Sequence, residues 1–141
     1  MLLTRKSGQL LYRLAIGSAL AAGFLLIWIN LAVGIIGSED NPINLFYFGV
    51  IAVGLIGSII VRFQPNGMAF TLLLTAFAHT LVTVYALLTG EQHALAGVHH
   101  STTLRSVMQI LGVNGFFITL WIISALLFRY AAQEKTKQDE A

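Results

Sequence analysis

The chain has 141 residues, of which 57% are hydrophobic and 10% charged, whereas a soluble domain carries about 25% charged residues. Its net charge of +2 gathers into no basic stripe, so composition gives no nucleic-acid signal. It contains no cysteine, which excludes disulfide frameworks, thiolate catalysis and Cys-based zinc or iron–sulfur sites.

Four charge-free stretches organise the rest: Leu14 to Ser38, Asn41 to Val61, Phe63 to Gly90 and Ser106 to Phe128, of 25, 21, 28 and 23 residues. A helix of about 20 apolar residues crosses the roughly 30 Å hydrocarbon core of a bilayer. In lipid each backbone polar group must be paired within the segment, so such stretches are helices and not isolated strands. The expected fold is all-α, an antiparallel bundle of four transmembrane helices in a single domain. The helices are expected at approximately 14–36, 43–61, 68–88 and 105–128.

The first stretch follows Arg5, Lys6 and Arg13, as the apolar core of a signal peptide does, and Ala19-Leu20-Ala21 loosely resembles a cleavage site. The apolar run nevertheless continues to Ile36, well beyond the roughly 7–15 residues of a signal core, and is read as a retained first helix. Ala15, Ala19 and Gly23 fall at four-residue spacing along it, and small residues so spaced let another backbone come close. The connection Gly37-Ser38-Glu39-Asp40-Asn41-Pro42 is short enough to make helices 1 and 2 antiparallel neighbours. Asn41 suits a helix N-cap and Pro42 the first helical position.

Helix 2 offers Gly49, Gly54, Gly57 and Ser58 for close contact, with Phe46, Tyr47 and Phe48 near its outer end as interfacial anchors. Arg62-Phe63-Gln64-Pro65-Asn66-Gly67 follows, and its Pro-Asn-Gly chemistry predicts a tight reversal before helix 3. A connection of about 16 residues, Thr89 to Leu104, leads to helix 4, and the polar tail Ala131 to Ala141 is expected to fray. The two halves of the chain show no sequence symmetry, so an inverted-repeat transporter gets no support.

If the helices alternate, Arg5, Lys6, Arg13, Arg62, Arg129, Lys135 and Lys137 fall on one side and only Arg105 on the other. The positive-inside rule places both termini and the second connection in the cytoplasm.

His79 is the one ionisable side chain within the spans, near the middle of helix 3, with Thr75 and Thr83 a turn away on each side. An intramembrane ionisable residue marks a functional site by default: a proton relay, a haem ligand or a polar pocket. The competing reading is a neutral histidine bonded to a neighbouring helix and fixing its register. Asn114 is the candidate partner. It lies about eight residues from the external end of its helix against about eleven for His79, a ~4–5 Å offset at 1.5 Å per residue. Asn30, Asn44, Gln109 and Asn114 all belong to the external half of the bilayer, which suggests either an outward polar cleft or ordinary interhelical bonds. The expected buried polar cluster comprises His79, Asn114, Asn30, Thr75 and Thr83.

The Thr89–Leu104 connection holds Glu91, His93, His99 and His100, opposite Glu39 and Asp40. Three imidazoles with carboxylates suit zinc, copper or nickel, so His93, His99 and His100 are candidate metal ligands, although their spacing matches no established motif and solvated loop polarity is the plainer reading. Other chemistries find no residues here. A bis-histidine haem needs a second buried histidine, a small multidrug exporter needs a buried carboxylate, and Gly57-Ser58-Ile59 lacks an intramembrane protease's context. No phosphate loop, metalloprotease pair or kinase signature occurs. No cofactor is expected.

Glu39-Asp40-Asn41-Pro42 with Asn44 and Tyr47, Arg62-Phe63 with Pro65 and Gly67-Met68-Ala69, and Gly112, Asn114-Gly115-Phe116-Phe117, Trp121 and Ser124-Ala125-Leu126-Leu127-Phe128-Arg129 form a motif set over roughly residues 14 to 130. In these the chain resembles a group of small uncharacterised four-helix proteins of bacterial inner membranes. No activity is assigned to that group, so the resemblance implies a topology and a multi-pass place in the inner membrane, and no mechanism. The expected function is that of a non-enzymatic structural, accessory or self-associating membrane subunit. Its partners would be the lipid bilayer and a larger membrane complex or further copies of itself, with no nucleic acid. The alternative is a small-molecule or metal-binding membrane protein using an outward polar cleft and the histidine-bearing connection.

Overall fold

The computed structural model describes the backbone of residues 2–32, 35, 42–94 and 100–141, and the side chains of these except 2–5, 90–94, 100–103 and 106. The described elements are α1 (Leu2–Ala32), a 3-10 turn (Pro42–Asn44), α2 (Leu45–Ile60), α3 (Pro65–Ala94) and α4 (His100–Asp139). The fold is all-α. Among the described residues four helices are long and apolar enough to cross a membrane: Lys6–Ala32, Pro42–Ile60, Pro65–Thr89 and Val107–Asp139.

Small residues set the closest approaches. A Cβ placed on Gly57 would lie 2.5 Å from Thr71 Cγ2, and one on Gly54 would lie 3.3 Å from Thr75 Oγ1. The absence of those side chains lets α2 and α3 run antiparallel at close range. On α1 the buried stripe is Ala15, Ala22, Leu26 and Asn30; at Ala15 it meets α4, where Ser124 Oγ donates to the Ala15 carbonyl at 2.8 Å, and at Asn30 it meets the start of α2. Ala19 and Gly23, expected at the centre of the helix 1 contact, are half-buried at its edge.

The chief partner of α1 is therefore α4, while α1 and α2 touch over little of their length. The two are neighbours, as the short connection implies, and Asn30 Nδ2 donates to the Asn44 carbonyl across them, but theirs is not the close packing. A connection limits how far two helices can diverge, but the shape of their faces decides which ones pack. Tyr12 Oη donates to the Phe63 carbonyl at 2.7 Å and Tyr12 stacks edge-on to Phe128 at 5.5 Å, so α1, the α2–α3 turn and the later part of α4 meet at one level of the bundle.

Most boundaries differ from expectation: α1 already begins at Leu2, and α3 and α4 reach into the expected Thr89–Leu104 connection, to Ala94 and from His100. The reversal between α2 and α3 lies at Arg62 and Phe63, both left-handed at φ 55° and 56°, and not at Pro-Asn-Gly. There the Phe63 N–H donates to the Ser58 carbonyl and the Arg62 N–H to the Ile59 carbonyl, both at 3.0 Å, which is the Schellman arrangement that satisfies a helix's last carbonyls. Pro65 opens α3, a position where its missing N–H costs nothing, and Gly67 sits where a Cβ would be 2.5 Å from Val61 Cβ. At the start of α2, Pro42–Asn44 form the 3-10 turn, Asn44 occupies the cap without a side-chain cap bond, and Asn41 lies outside the described residues. Finally, the tail expected to fray continues α4 to Asp139. It has a packing partner, because Ala131 is buried and Gly8 of α1 comes close enough that its Cβ would be 3.3 Å from Glu134 Cβ.

Candidate functional site

The centre of the bundle holds one polar group of four side chains from three helices. His79 of α3, Asn114 of α4 and Tyr47 of α2 are 0% exposed, and Trp121 of α4 is 4% exposed. Each lies on the buried stripe of its helix. On α4 that stripe is Asn114, Phe117, Trp121, Ser124 and Phe128, at spacings of three and four.

The hydrogen bonds define the protonation of the imidazole. Trp121 Nε1 lies 3.2 Å from His79 Nδ1, and an indole N–H only donates, so Nδ1 is the bare, accepting nitrogen. The proton then sits on Nε2, which donates to Asn114 Oδ1 at 2.9 Å. Tyr47 Oη donates to the same Oδ1 at 2.7 Å, and Asn114 Nδ2 donates back to the Ile110 carbonyl at 2.8 Å. An imidazolium would set an N–H on Nδ1 against the indole N–H, so this arrangement holds a neutral ring. Two aromatic rings enclose it: Tyr47 edge-on with centroids 5.3 Å away and Phe117 stacked at 6.1 Å.

Every hydrogen-bonding atom of the imidazole and the indole has a partner, and Asn114 Oδ1 has two. A buried donor left without an acceptor costs about 1–3 kcal/mol, so the mutual satisfaction of these groups is what makes them tolerable inside an apolar bundle. The geometry ties α2, α3 and α4 together at one level. It leaves neither imidazole nitrogen free to ligate a metal or haem iron or to take a proton from a substrate.

His79 and Asn114, expected to meet, are in contact. Thr75 and Thr83 are buried on the same face, yet their hydroxyls donate along α3 to the carbonyls of Thr71 and His79, each at 2.9 Å, and do not join the cluster. Asn30 is held elsewhere: its Nδ2 donates to the Asn44 carbonyl at 2.9 Å, and its buried Oδ1 has no partner among the described residues. Gln109 is exposed on α4. Of the four external-half amides, Asn114 and Asn30 thus serve separate interhelical bonds.

Tyr47 and Trp121 are the residues that sequence reasoning missed. Tyr47, expected as an interfacial anchor, is fully buried, while Phe46 and Phe48 on either side of it are exposed. Its spacing pointed inward, since Tyr47 stands seven and eleven residues before Gly54 and Ser58, on the stripe that packs against α3.

The candidate metal ligands cannot be placed in the site. His99 lies outside the described residues, as do the side chains of His93 and His100. Among the described residues no three His, Asp or Glu side chains are grouped as a metal site would require. No protein-family model matches the chain, and neither does any curated protein or solved structure.

Proposed function

We propose that this chain is a small integral protein of the bacterial inner membrane, with both termini cytoplasmic, that works by packing and not by catalysis. It would serve as a structural or accessory subunit, associating through its lipid-facing helix surfaces with a larger membrane complex or with further copies of itself. The observation that carries this reading is the closed polar cluster. A histidine in the middle of a membrane span is the natural seat of chemistry, and here both its nitrogens are taken by Trp121 and Asn114. Its role on that geometry is to fix the register of α3 against α4 and, through Tyr47, that of α2. The gathering of Arg13, Arg62, Arg129 and Lys135 at the end where α1 starts and α4 finishes supports the orientation, since such residues stay on the cytoplasmic side.

The test is affinity purification in mild detergent, with mass spectrometry of the eluate and elemental analysis of the pure chain. The proposal expects a membrane partner in fixed ratio or an assembly of several identical chains, and metal far below one ion per chain. A monodisperse single chain carrying a stoichiometric metal ion would contradict it and favour the metal-binding alternative.

A further inference from the structure

The sparse contact between α1 and α2 leaves a lateral crevice of about 420 Å³ between them. Ala19 and Gly23 of α1 and Gly54 and Ser58 of α2 line it, and Thr75 and Trp121 contribute from behind. Its rim is made of exposed apolar side chains, among them Leu20, Phe24 and Leu55. The polar atoms that reach it are already bonded. Ser58 Oγ donates to the Gly54 carbonyl, Thr75 Oγ1 to the Thr71 carbonyl and Trp121 Nε1 to His79. With those donors used, an occupant would meet a mainly apolar surface.

Both ends of the crevice are crossed by hydrogen bonds. Asn30 Nδ2 to the Asn44 carbonyl bridges α1 to the start of α2, and Tyr12 Oη to the Phe63 carbonyl bridges α1 to the turn after it. A second transmembrane helix, of about 20 residues and roughly 30 Å, would overrun the stretch between those crossings. A thinner, shorter and flexible occupant would not. From Ile16 to Ile27 the α1 wall runs about 16 Å at 1.5 Å per residue, close to half of a roughly 30 Å hydrocarbon core. That is the depth of one leaflet.

Charge at one end completes the match. Arg13 lies three residues before Ile16 on α1, and Arg62 adjoins Phe63, which also lines the crevice. Among the described residues neither arginine is ion-paired; the ion pair there joins Lys137 and Glu134. Arginines at the membrane surface attract anionic headgroups. We propose that the crevice between α1 and α2 binds one acyl chain of an anionic phospholipid, whose phosphate lies at Arg13 and Arg62.

The test uses the full chain purified in dodecyl maltoside and exchanged into micelles containing either phosphatidylglycerol or phosphatidylcholine, with native mass spectrometry as the readout. The wild type should retain one phospholipid per chain and prefer phosphatidylglycerol. Gly23→Leu fills the crevice, and the fold has room for it, because a Cβ at Gly23 meets only Trp121, at 3.9 Å. That variant should keep its melting profile and retain at least tenfold less lipid. Arg13→Gln should fold normally and lose the preference for phosphatidylglycerol. Equal retention by the wild type and Gly23→Leu would overturn the proposal, as would a wild type that holds no lipid. So would an unchanged headgroup preference in Arg13→Gln. A wild-type dimer that becomes a monomer in Gly23→Leu would overturn it in favour of a second copy as the occupant.

Discussion

Asn114→Ala is the substitution that the central cluster makes most costly, because one oxygen serves two buried donors. With the amide gone, the Tyr47 hydroxyl and the His79 Nε2–H both lose their acceptor in a site where all three residues are 0% exposed. Stranding a buried donor costs about 1–3 kcal/mol in a protein interior. Interhelical bonds in membranes average nearer 0.6 kcal/mol, because the separated helices also find partners. The expected loss is about 2–3 kcal/mol in total, part of it from the cavity left behind. Tyr47→Phe removes one donor and leaves Asn114 bonded to His79, so it should cost about 1 kcal/mol or less. The assay is reversible unfolding in mixed detergent micelles, read as a double-mutant cycle on Tyr47→Phe and Asn114→Ala. Coupling between the two should be about 0.6–1.7 kcal/mol. Asn114→Ala proving no more harmful than Tyr47→Phe, with the two strictly additive, would refute the shared-acceptor reasoning.

Three further outcomes follow from the packing and the charges. Gly57→Ala drives a Cβ to 2.5 Å from Thr71 Cγ2 and should lower stability by about 1–3 kcal/mol, and adding Thr71→Ser, which deletes that methyl, should restore part of it in the same unfolding assay. Arg62→Gly relieves a left-handed residue at φ 55° and should raise the melting temperature, by about 0.5–1 kcal/mol in stability; a fall would mean the Arg62 side chain contributes more than its backbone strain costs. A cysteine introduced as Glu91→Cys should react with an impermeant maleimide added from outside intact spheroplasts, and labelling only after the cytoplasmic face is opened would reverse the topology.

How much of this was legible in the chain depends on the kind of constraint. Span number follows from the solvent alone, since lipid rejects charge and Arg13, Arg62, Arg105 and Arg129 bound the apolar stretches; helix length does not, because α1 starts at Leu2 and α4 runs to Asp139, past those arginines. The inward placement of His79 and its pairing with Asn114 follow from the same cost, given that two polar groups lie at similar depth. Tyr47 was legible only from helical spacing: an aromatic ring with a hydroxyl near a span's end satisfies either an interface or a buried partner, and its place seven and eleven residues before Gly54 and Ser58 is what turns it inward. The α4 extension was hidden because Ala131 to Asp139 looks polar until Gly8 of α1 supplies a surface to pack on. The α1–α2 crevice could not be read at all, because it depends on α1 finding better complementarity on α4 than on its neighbour in the chain.

If His79 is fully engaged as a packing residue, nitrogen-15 NMR of histidine-labelled protein in micelles at neutral pH will read that state from the ring itself. The predicted spectrum shows one His79 imidazole in a single neutral tautomer, protonated at Nε2 and bare at Nδ1, with the Nδ1 resonance shifted by Trp121→Phe. An imidazolium at His79, or a neutral ring protonated at Nδ1, would mean that the Trp121–His79–Asn114 hydrogen bonds are not formed, and would return this histidine to the candidates for proton transfer.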